Sequence, residues 1–250
     1  MSHKFLMDSN LGLRPDEQPW HDLFAQADIE PISTNDLERA DKIFADHVPG
    51  IAFLPSADVH RLFGRGDHYY QGLAESTSKF TGEPTMKVLL VVKKDDPATS
   101  LDDLAGAKLG YVNRSCSSTY FPPAILLNRK GLKLDDYFEL TRIPVGYTWQ
   151  ELNDAVVSGM VRASMVLEDV WKTFPQNAGN TKIIGEYSGS KGALVVVRDG
   201  FDQDIRATLL DAFLNFQPPW DSVYGAYKPY YLADMLSWFH DLDQLPPGTS

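Results

Sequence analysis

The densest chemistry in the chain lies in one seven-residue stretch, Asn113-Arg114-Ser115-Cys116-Ser117-Ser118-Thr119. Hydroxyls and backbone N–H groups crowded into a turn donate hydrogen bonds without carrying charge. That suits the oxygens of a phosphate-, phosphonate- or carboxylate-type anion. Cys116 adds a second chemistry. Near a helix N-terminus a thiolate is stabilised and can act as a nucleophile, whereas a lone cysteine elsewhere packs as a small hydrophobe. Pro122 and Pro123 tolerate only the first turn of a helix, Ala124–Lys130 continues as one, and Gly131 stops it. The stretch is therefore expected to present hydroxyls and free N–H groups at the positive end of a helix dipole. A serine that merely caps its helix fits the same spacing, and both readings stand.

The elements that must position this turn alternate along the chain. Lys108–Val112 reads as the strand before it, β-branched and aromatic. Upstream, Lys4–Met7 reads as a strand ending in the polar corner Asp8-Ser9-Asn10, Trp20–Gln26 as a helix and Ile29–Ile32 as a strand. Ser33 or Thr34 caps a helix to about Asp46. Ile51–Leu54 is a buried strand, Ser56 the N-cap of a helix toward Phe63, and Tyr69–Glu75 a strand. Downstream come a strand near Glu139–Val145, a helix from about Trp149 to Ser158 closed by Gly159, a strand at Ala163–Leu167, and Glu168–Phe174. Asp202 caps a helix through Asn215, and Lys228–Leu242 reads as an amphipathic helix packing on the first lobe.

Met86–Lys93 and Ala193–Arg198 are alike, apolar and β-branched as strands buried on both faces tend to be. They bracket a self-contained α/β set. The expected fold class is α/β, two-lobed, with a two-stranded hinge. Lobe 1 takes residues 1–92 and 196–250, and lobe 2 takes 93–195. Clefts between such lobes are favoured ligand sites.

Composition narrows the partners. The chain has 250 residues, a formal net charge of −11, one cysteine and no apolar run long enough to span a bilayer. Nucleic acid and anionic membranes are unsuitable partners for such a charge. One cysteine allows no intrachain disulfide. His60 and His68 have no partner at metal spacing, so no metal and no cofactor is expected. The opening MSHKFLMDSN lacks a charged-then-apolar leader. That reads either as a cytoplasmic protein or as one whose leader has been removed, periplasmic or lipid-anchored.

Residues Ser100–Asn113, SLDDLAGAKLGYVN, and the turn after them resemble the phosphonate/phosphite/phosphate-binding proteins of ABC importers, which have the type II periplasmic binding protein fold. The resemblance covers roughly Gly50–Phe216. The family's Asp-Pro-x-Ser-Thr-Ser-Gly-Tyr-x-x-Pro corresponds to Asn113–Pro123, which puts its anion-binding hydroxyls at Cys116, Ser117 and Ser118. Thr119 replaces a glycine. The family's anion-binding histidine falls at Thr148 or Trp149, and is lost either way. A family aspartate falls at Leu167, beside Glu168 and Asp169, and a cleft tyrosine at Val59.

The ligand-binding set implied is Ser9, Ser56, Cys116, Ser117, Ser118, Thr119, Thr148, Trp149 and Glu168. Tyr69, Tyr70, Tyr147, Trp149 and Tyr187 are candidates for an aromatic wall, with core packing as the plainer account. The resemblance implies a monomeric solute-binding protein closing two lobes over a small anion and serving an ABC permease. The alternative is a cytoplasmic enzyme on the same fold, acting on a small carboxylate or phosphorylated substrate, with Cys116 as its catalytic residue.

Overall fold

The apolar runs of the chain are shared between two sheets, each with its own helices. The computed structural model describes residues 3–8, 20–34, 50–64, 69–146, 148–247 and 249. The chain divides into two compact units, residues 1–84 with 193–233, and residues 85–192 with 234–250. It passes from the first to the second before Thr85, returns before Ala193, and crosses again before Asp234.

The first unit contains β1 (His3–Asp8), α1 (Trp20–Gln26), β2 (Ile29–Thr34), β3 (Ile51–Pro55), α2 (Ser56–Gly64) and β4 (Tyr70–Ser76). After the second unit it gains β10 (Ala193–Arg198), α8 (Gln203–Asn215) and β11 (Tyr227–Pro229). Its strands run in the order β11-β4-β10-β3-β1-β2. The central strands β3 and β10 are almost wholly buried, as β-branched runs covered on both faces should be. The core beneath is aromatic: Trp20 lies 4.8 Å from Phe213, and Phe213 5.1 Å from Tyr227. Asp202 caps α8 as its position predicts, accepting from the N–H groups of Asp204 and Ile205 at 3.0 Å each. The helix expected from Ser33 to Asp46 falls largely outside the described residues, and Ser33 and Thr34 themselves end β2.

The second unit comprises β5 (Thr85–Lys93), β6 (Lys108–Tyr111), α3 (Phe121–Asn128), α4 (Leu134–Tyr137) and β7 (Glu139–Arg142). There follow α5 (Glu151–Ser158), β8 (Ala163–Leu167), α6 (Glu168–Thr173), α7 (Gln176–Asn180) and β9 (Thr181–Lys191). The sheet order is β7-β6-β8-β5-β9. Gly159 closes α5 in the left-handed region at φ +82, where a side chain would be strained. β9 is the one long element the sequence pattern does not announce. Gly185 and Gly189 interrupt it, and its pairing with β5 shifts register twice.

The terminal helix corrects another expectation. It is shorter than Lys228–Leu242, because Tyr227–Pro229 pairs with β4 as a strand and α9 spans Leu232–Asp243. From Asp234 onward it belongs to the second unit, not the first. Trp238 is fully buried there, 6.4 Å from Phe121 and 6.1 Å from Tyr187. Asp241 accepts from the Tyr187 hydroxyl at 2.6 Å and from Arg129 at 2.9 Å. Burial, then the Asp241 carboxylate, hold the Tyr187 hydroxyl well above its ordinary range. No helix among the described residues is long and apolar enough to cross a membrane.

This placement has a measurable consequence. Trp238→Ala removes a large buried side chain and should cost about 3–5 kcal/mol in urea unfolding. Hydrogen exchange should accelerate in α3 and β9, and much less in β3 and β10. Loss of protection confined to the first unit would contradict the packing described here.

Candidate functional site

Parallel pairing decides where the chemistry of the second unit collects. Tyr111 pairs with Arg142 and Gly110 with Ser164, so β6, β7 and β8 end at one edge of the sheet. β9 ends there too, since both it and β8 run antiparallel to β5, with Lys191 opposite Thr85. The loops 112–120 and 143–150 and the start of α6 therefore share this carboxyl edge. The chain leaves β6 toward β7 and leaves β8 toward β9, on opposite sides, so a topological switch point lies between β6 and β8. Open α/β sheets bind ligands at such points.

The turn after β6 is fixed by its own polar groups. Asn113 Oδ1 accepts from the N–H of Ser115 at 2.9 Å, and the Asn113 carbonyl from Cys116 at 3.3 Å. Thr119 Oγ1 reaches back to accept the N–H of Val112 at 3.1 Å. From β9, Ser190 Oγ donates to the Ser117 carbonyl at 2.8 Å, and Ser190 is fully buried. Cys116, Ser117, Ser118 and Thr119 are each at most 6 % exposed.

The free donors are not where the helix-dipole reading expects them. In the first turn of α3 the Phe121 N–H bonds the Cys116 carbonyl and the Ala124 N–H the Tyr120 carbonyl. Pro122 and Pro123 have no N–H at all. The helix terminus thus offers no donor, and the turn itself does. Among the described residues, no acceptor takes the N–H of Ser118 or of Thr119. Buried N–H groups are rarely left in that state. Ser118 Oγ meets only the weakly bonding Cys116 Sγ, at 3.4 Å.

Arg114 is the cation nearest the turn in sequence, and it is occupied. It grips Asp135 of α4 with two N–H groups at 2.5 and 3.2 Å and donates to the Tyr120 hydroxyl at 2.6 Å. The Arg114 hydrogen bonds hold the Asp135 carboxyl below its usual range. Burial, then the Asp135 charge, push the Tyr120 hydroxyl up to about 12. This latch anchors the turn to α4 from outside.

The structure sorts the remaining candidates. Thr148 is half-buried, and its hydroxyl accepts the Gln150 N–H at 3.4 Å. Trp149 is buried and precedes α5, which begins two residues later than expected. Glu168 opens α6 at the carboxyl edge, but its carboxylate is paired with Lys172 at 3.2 Å. Ser56 is fully buried at the start of α2, in the first unit. Ser9, His68 and Tyr147 lie outside the described residues. Val59 is fully buried, Tyr69 is 56 % exposed, and Tyr187 is engaged with Asp241. The hydrogen-bond partner of Cys116 is a neutral hydroxyl rather than a base or a cation. Ser190 and Asn113 are contributors that the sequence reading misses. Ser190 sits at the end of the unannounced strand, while an asparagine whose side-chain oxygen accepts the N–H two residues on is a recognisable turn signal.

A cavity of about 430 Å³ is lined by Lys93, Asp96, Lys108 and Arg162 among others. It lies at the amino edge of the same sheet, where β6 and β8 begin and β5 ends. It is not the site formed by the turn. No group of three metal-ligating side chains is present among the described residues.

The family model for the periplasmic phosphonate substrate-binding protein of ABC transporters matches residues 51–224. A Xanthomonas citri protein solved with chloride is 16% identical, covers 98% of both chains and superposes with a TM-score of 0.71. The binding component of a Pseudomonas aeruginosa ABC phosphonate transporter is 15% identical over 96% of this chain and 85% of its own, with a TM-score of 0.69. A Prochlorococcus marinus protein in complex with methylphosphonate is 12% identical over 98% and 99%, with a TM-score of 0.66. These structures share the fold, an α/β periplasmic-binding-protein architecture. A search among curated proteins finds no match.

The Thr119 contact can be tested directly. Thr119→Val keeps the shape and strands the buried Val112 N–H, so it should cost about 1–3 kcal/mol in urea unfolding. Thr119→Ser keeps the oxygen and should cost clearly less. Equal losses would mean the methyl group, not the hydrogen bond, holds the turn.

Proposed function

The chain belongs to the family of periplasmic substrate-binding proteins of ABC phosphonate transporters, and from that premise we propose that its ligand is a small oxyanion held by the Ser117–Thr119 turn. The observation that carries this reading is the pair of N–H groups in buried residues, of Ser118 and Thr119, for which the described residues supply no acceptor. Successive N–H groups in a turn form a concave site for an anion, and hydroxyls beside them add neutral donors. Hydrogen bonds to a charged oxygen are about twice as strong as neutral ones. Three tetrahedral oxygens on one phosphorus suit a turn with several donors on short spacing. Phosphonates and phosphate therefore come first among the ligands proposed, ahead of carboxylates.

Proteins of this family are carriers: they bind a small solute and deliver it to a permease. The proposal here is a single chain that does so without chemistry of its own. The enzyme alternative draws no support from the turn. Cys116 is buried, and its side-chain partner is another weak, neutral group. A nucleophile needs an activating base or cation beside it.

A thermal-shift screen tests the reading. A ligand that binds only the folded protein adds RT ln(1 + [L]/Kd), about 2.7 kcal/mol at a hundredfold excess over Kd. Methylphosphonate, phosphate, methanesulfonate and acetate at millimolar concentration should include at least one clear hit. Ser118→Ala should then weaken its binding by roughly ten- to a hundredfold. Cys116→Ser should leave it nearly unchanged. A screen in which no anion moves the midpoint would remove the proposal's support.

A further inference from the structure

The cavity at the amino edge of the second unit is built around a row of like charges. Ala163 of β8 pairs with Leu109 of β6 on one side and with Val92 of β5 on the other. One step toward the edge, the same registers set Lys108, Arg162 and Lys93 side by side on three neighbouring strands. The Arg162 N–H donates to the Lys108 carbonyl at 3.0 Å, which fixes that row. All three residues line the cavity of about 430 Å³.

Like charges directly opposite each other on neighbouring strands are destabilising. A row of three needs compensation, and the surroundings supply little. Asp96 takes Arg162 through two hydrogen bonds, at 2.9 and 3.0 Å, and the Asp103 carbonyl takes a third N–H at 3.1 Å. The Arg162 hydrogen bond holds the Asp96 carboxyl below its usual range, so one negative charge is fixed there. A guanidinium has five N–H groups, which leaves two of Arg162 for another acceptor. Lys108 is 3.4 Å from Glu139, but the two side chains are 52 and 63 % exposed, and such pairs contribute little. The Lys93 ammonium has no hydrogen bond or ion pair among the described residues. It lies over the end of α5, where a Cβ on Gly159 would stand 3.2 Å from Nζ. A lysine at a helix C-terminus is favourable in itself. That accounts for Lys93 alone, not for Lys108 and Arg162 in the same row or for the cavity they share.

We propose that this cavity binds a small organic anion with two or more carboxylates, a di- or tricarboxylate whose charged ends reach Lys93 and Lys108 across Arg162. Neighbouring strands are about 4.8 Å apart, so the two lysine backbones stand about 10 Å apart. Side chains reaching inward narrow that gap to the span of a short carbon chain. The lining between the cations is apolar, with Ala105, Ala107, Val161 and the 59 % exposed Met160, which suits carbon between the charged ends. The volume is that of a small-molecule pocket. The Ser117–Thr119 turn lies at the opposite edge of the sheet, so this inference does not depend on the function proposed for it.

The test titrates the full chain with citrate, pyrophosphate and acetate by calorimetry. Citrate should bind, and acetate at the same concentration should not. Lys93→Met and Lys108→Met keep the aliphatic stem and remove one charge each. Each should raise the citrate Kd at least about tenfold. Their ligand-free melting temperatures should stay the same or rise, because a like charge leaves the row. In ¹⁵N-labelled wild-type protein the amides of Gly106, Gly159 and Met160 should move with citrate, which decides the matter should either variant not fold. Citrate that does not bind, or that binds both variants like the wild type, overturns the inference. Lower melting temperatures with the citrate Kd unchanged would do the same, marking the lysines as structural. Pyrophosphate binding more tightly than citrate, with the same dependence on the lysines, would overturn the carboxylate class. Each of these failures leaves the reading of the turn intact.

Discussion

The contact between β6 and β8 is brief, and the site depends on it. Two residue pairs, Leu109 with Ala163 and Gly110 with Ser164, join the strands, and Ser164 Oγ donates to the Gly110 carbonyl at 3.0 Å. Side chains in a strand alternate faces, so a slip of one residue would turn every buried position of β6 outward. It would also carry the whole 112–120 turn away from the edge where β8 and β9 end. A Cβ on Gly110 would stand 3.2 Å from both Ile143 and Val161, so this position has little room for a larger residue. Register, close approach and site position are thus one constraint.

Given that register, donor accounting decides what the edge can bind. A helix N-terminus ordinarily supplies unpaired N–H groups to an anion. Here two prolines delete that supply, and the Cys116 and Tyr120 carbonyls absorb what remains. The burden passes to the turn, whose other polar groups are already committed: Asn113 to Ser115, Thr119 to Val112, Ser190 to the Ser117 carbonyl. What is left over is a small set of donors of fixed direction. Such a set selects by geometry, since the backbone N–H groups in it cannot swing to meet a badly shaped ligand.

Much of this was legible in the sequence, because strands such as MKVLLVVK and ALVVVR and caps such as Asp202 act locally. The hydroxyl turn was legible for the same reason, as was the family resemblance that it carries. What stayed hidden depended on partners far along the chain. An amphipathic pattern says that α9 packs, not on which unit. That the Thr119 oxygen serves the strand end seven residues earlier cannot be seen from its spacing. Ser190 is invisible while β9 goes unread, and β9 goes unread because its glycines weaken the pattern that marks a strand. Pro122 and Pro123 were placed correctly at the start of a helix. Their cost in donors only emerges when each N–H is followed to its acceptor.

The charge of the molecule fits this kind of site. With a formal net charge of −11, the chain as a whole repels an anion at long range. Of the cations at or beside this edge, Arg114 is paired with Asp135 and Lys172 with Glu168, while Lys191, which ends β9, is buried and donates to Thr85 Oγ1 at 2.9 Å. Short-range hydrogen bonds in a buried place can supply attraction there, since low dielectric strengthens each of them and salt screens them little. That is why overall composition gives no hint of anion binding here: the donors proposed for recognition are the hydroxyls and N–H groups of one short turn.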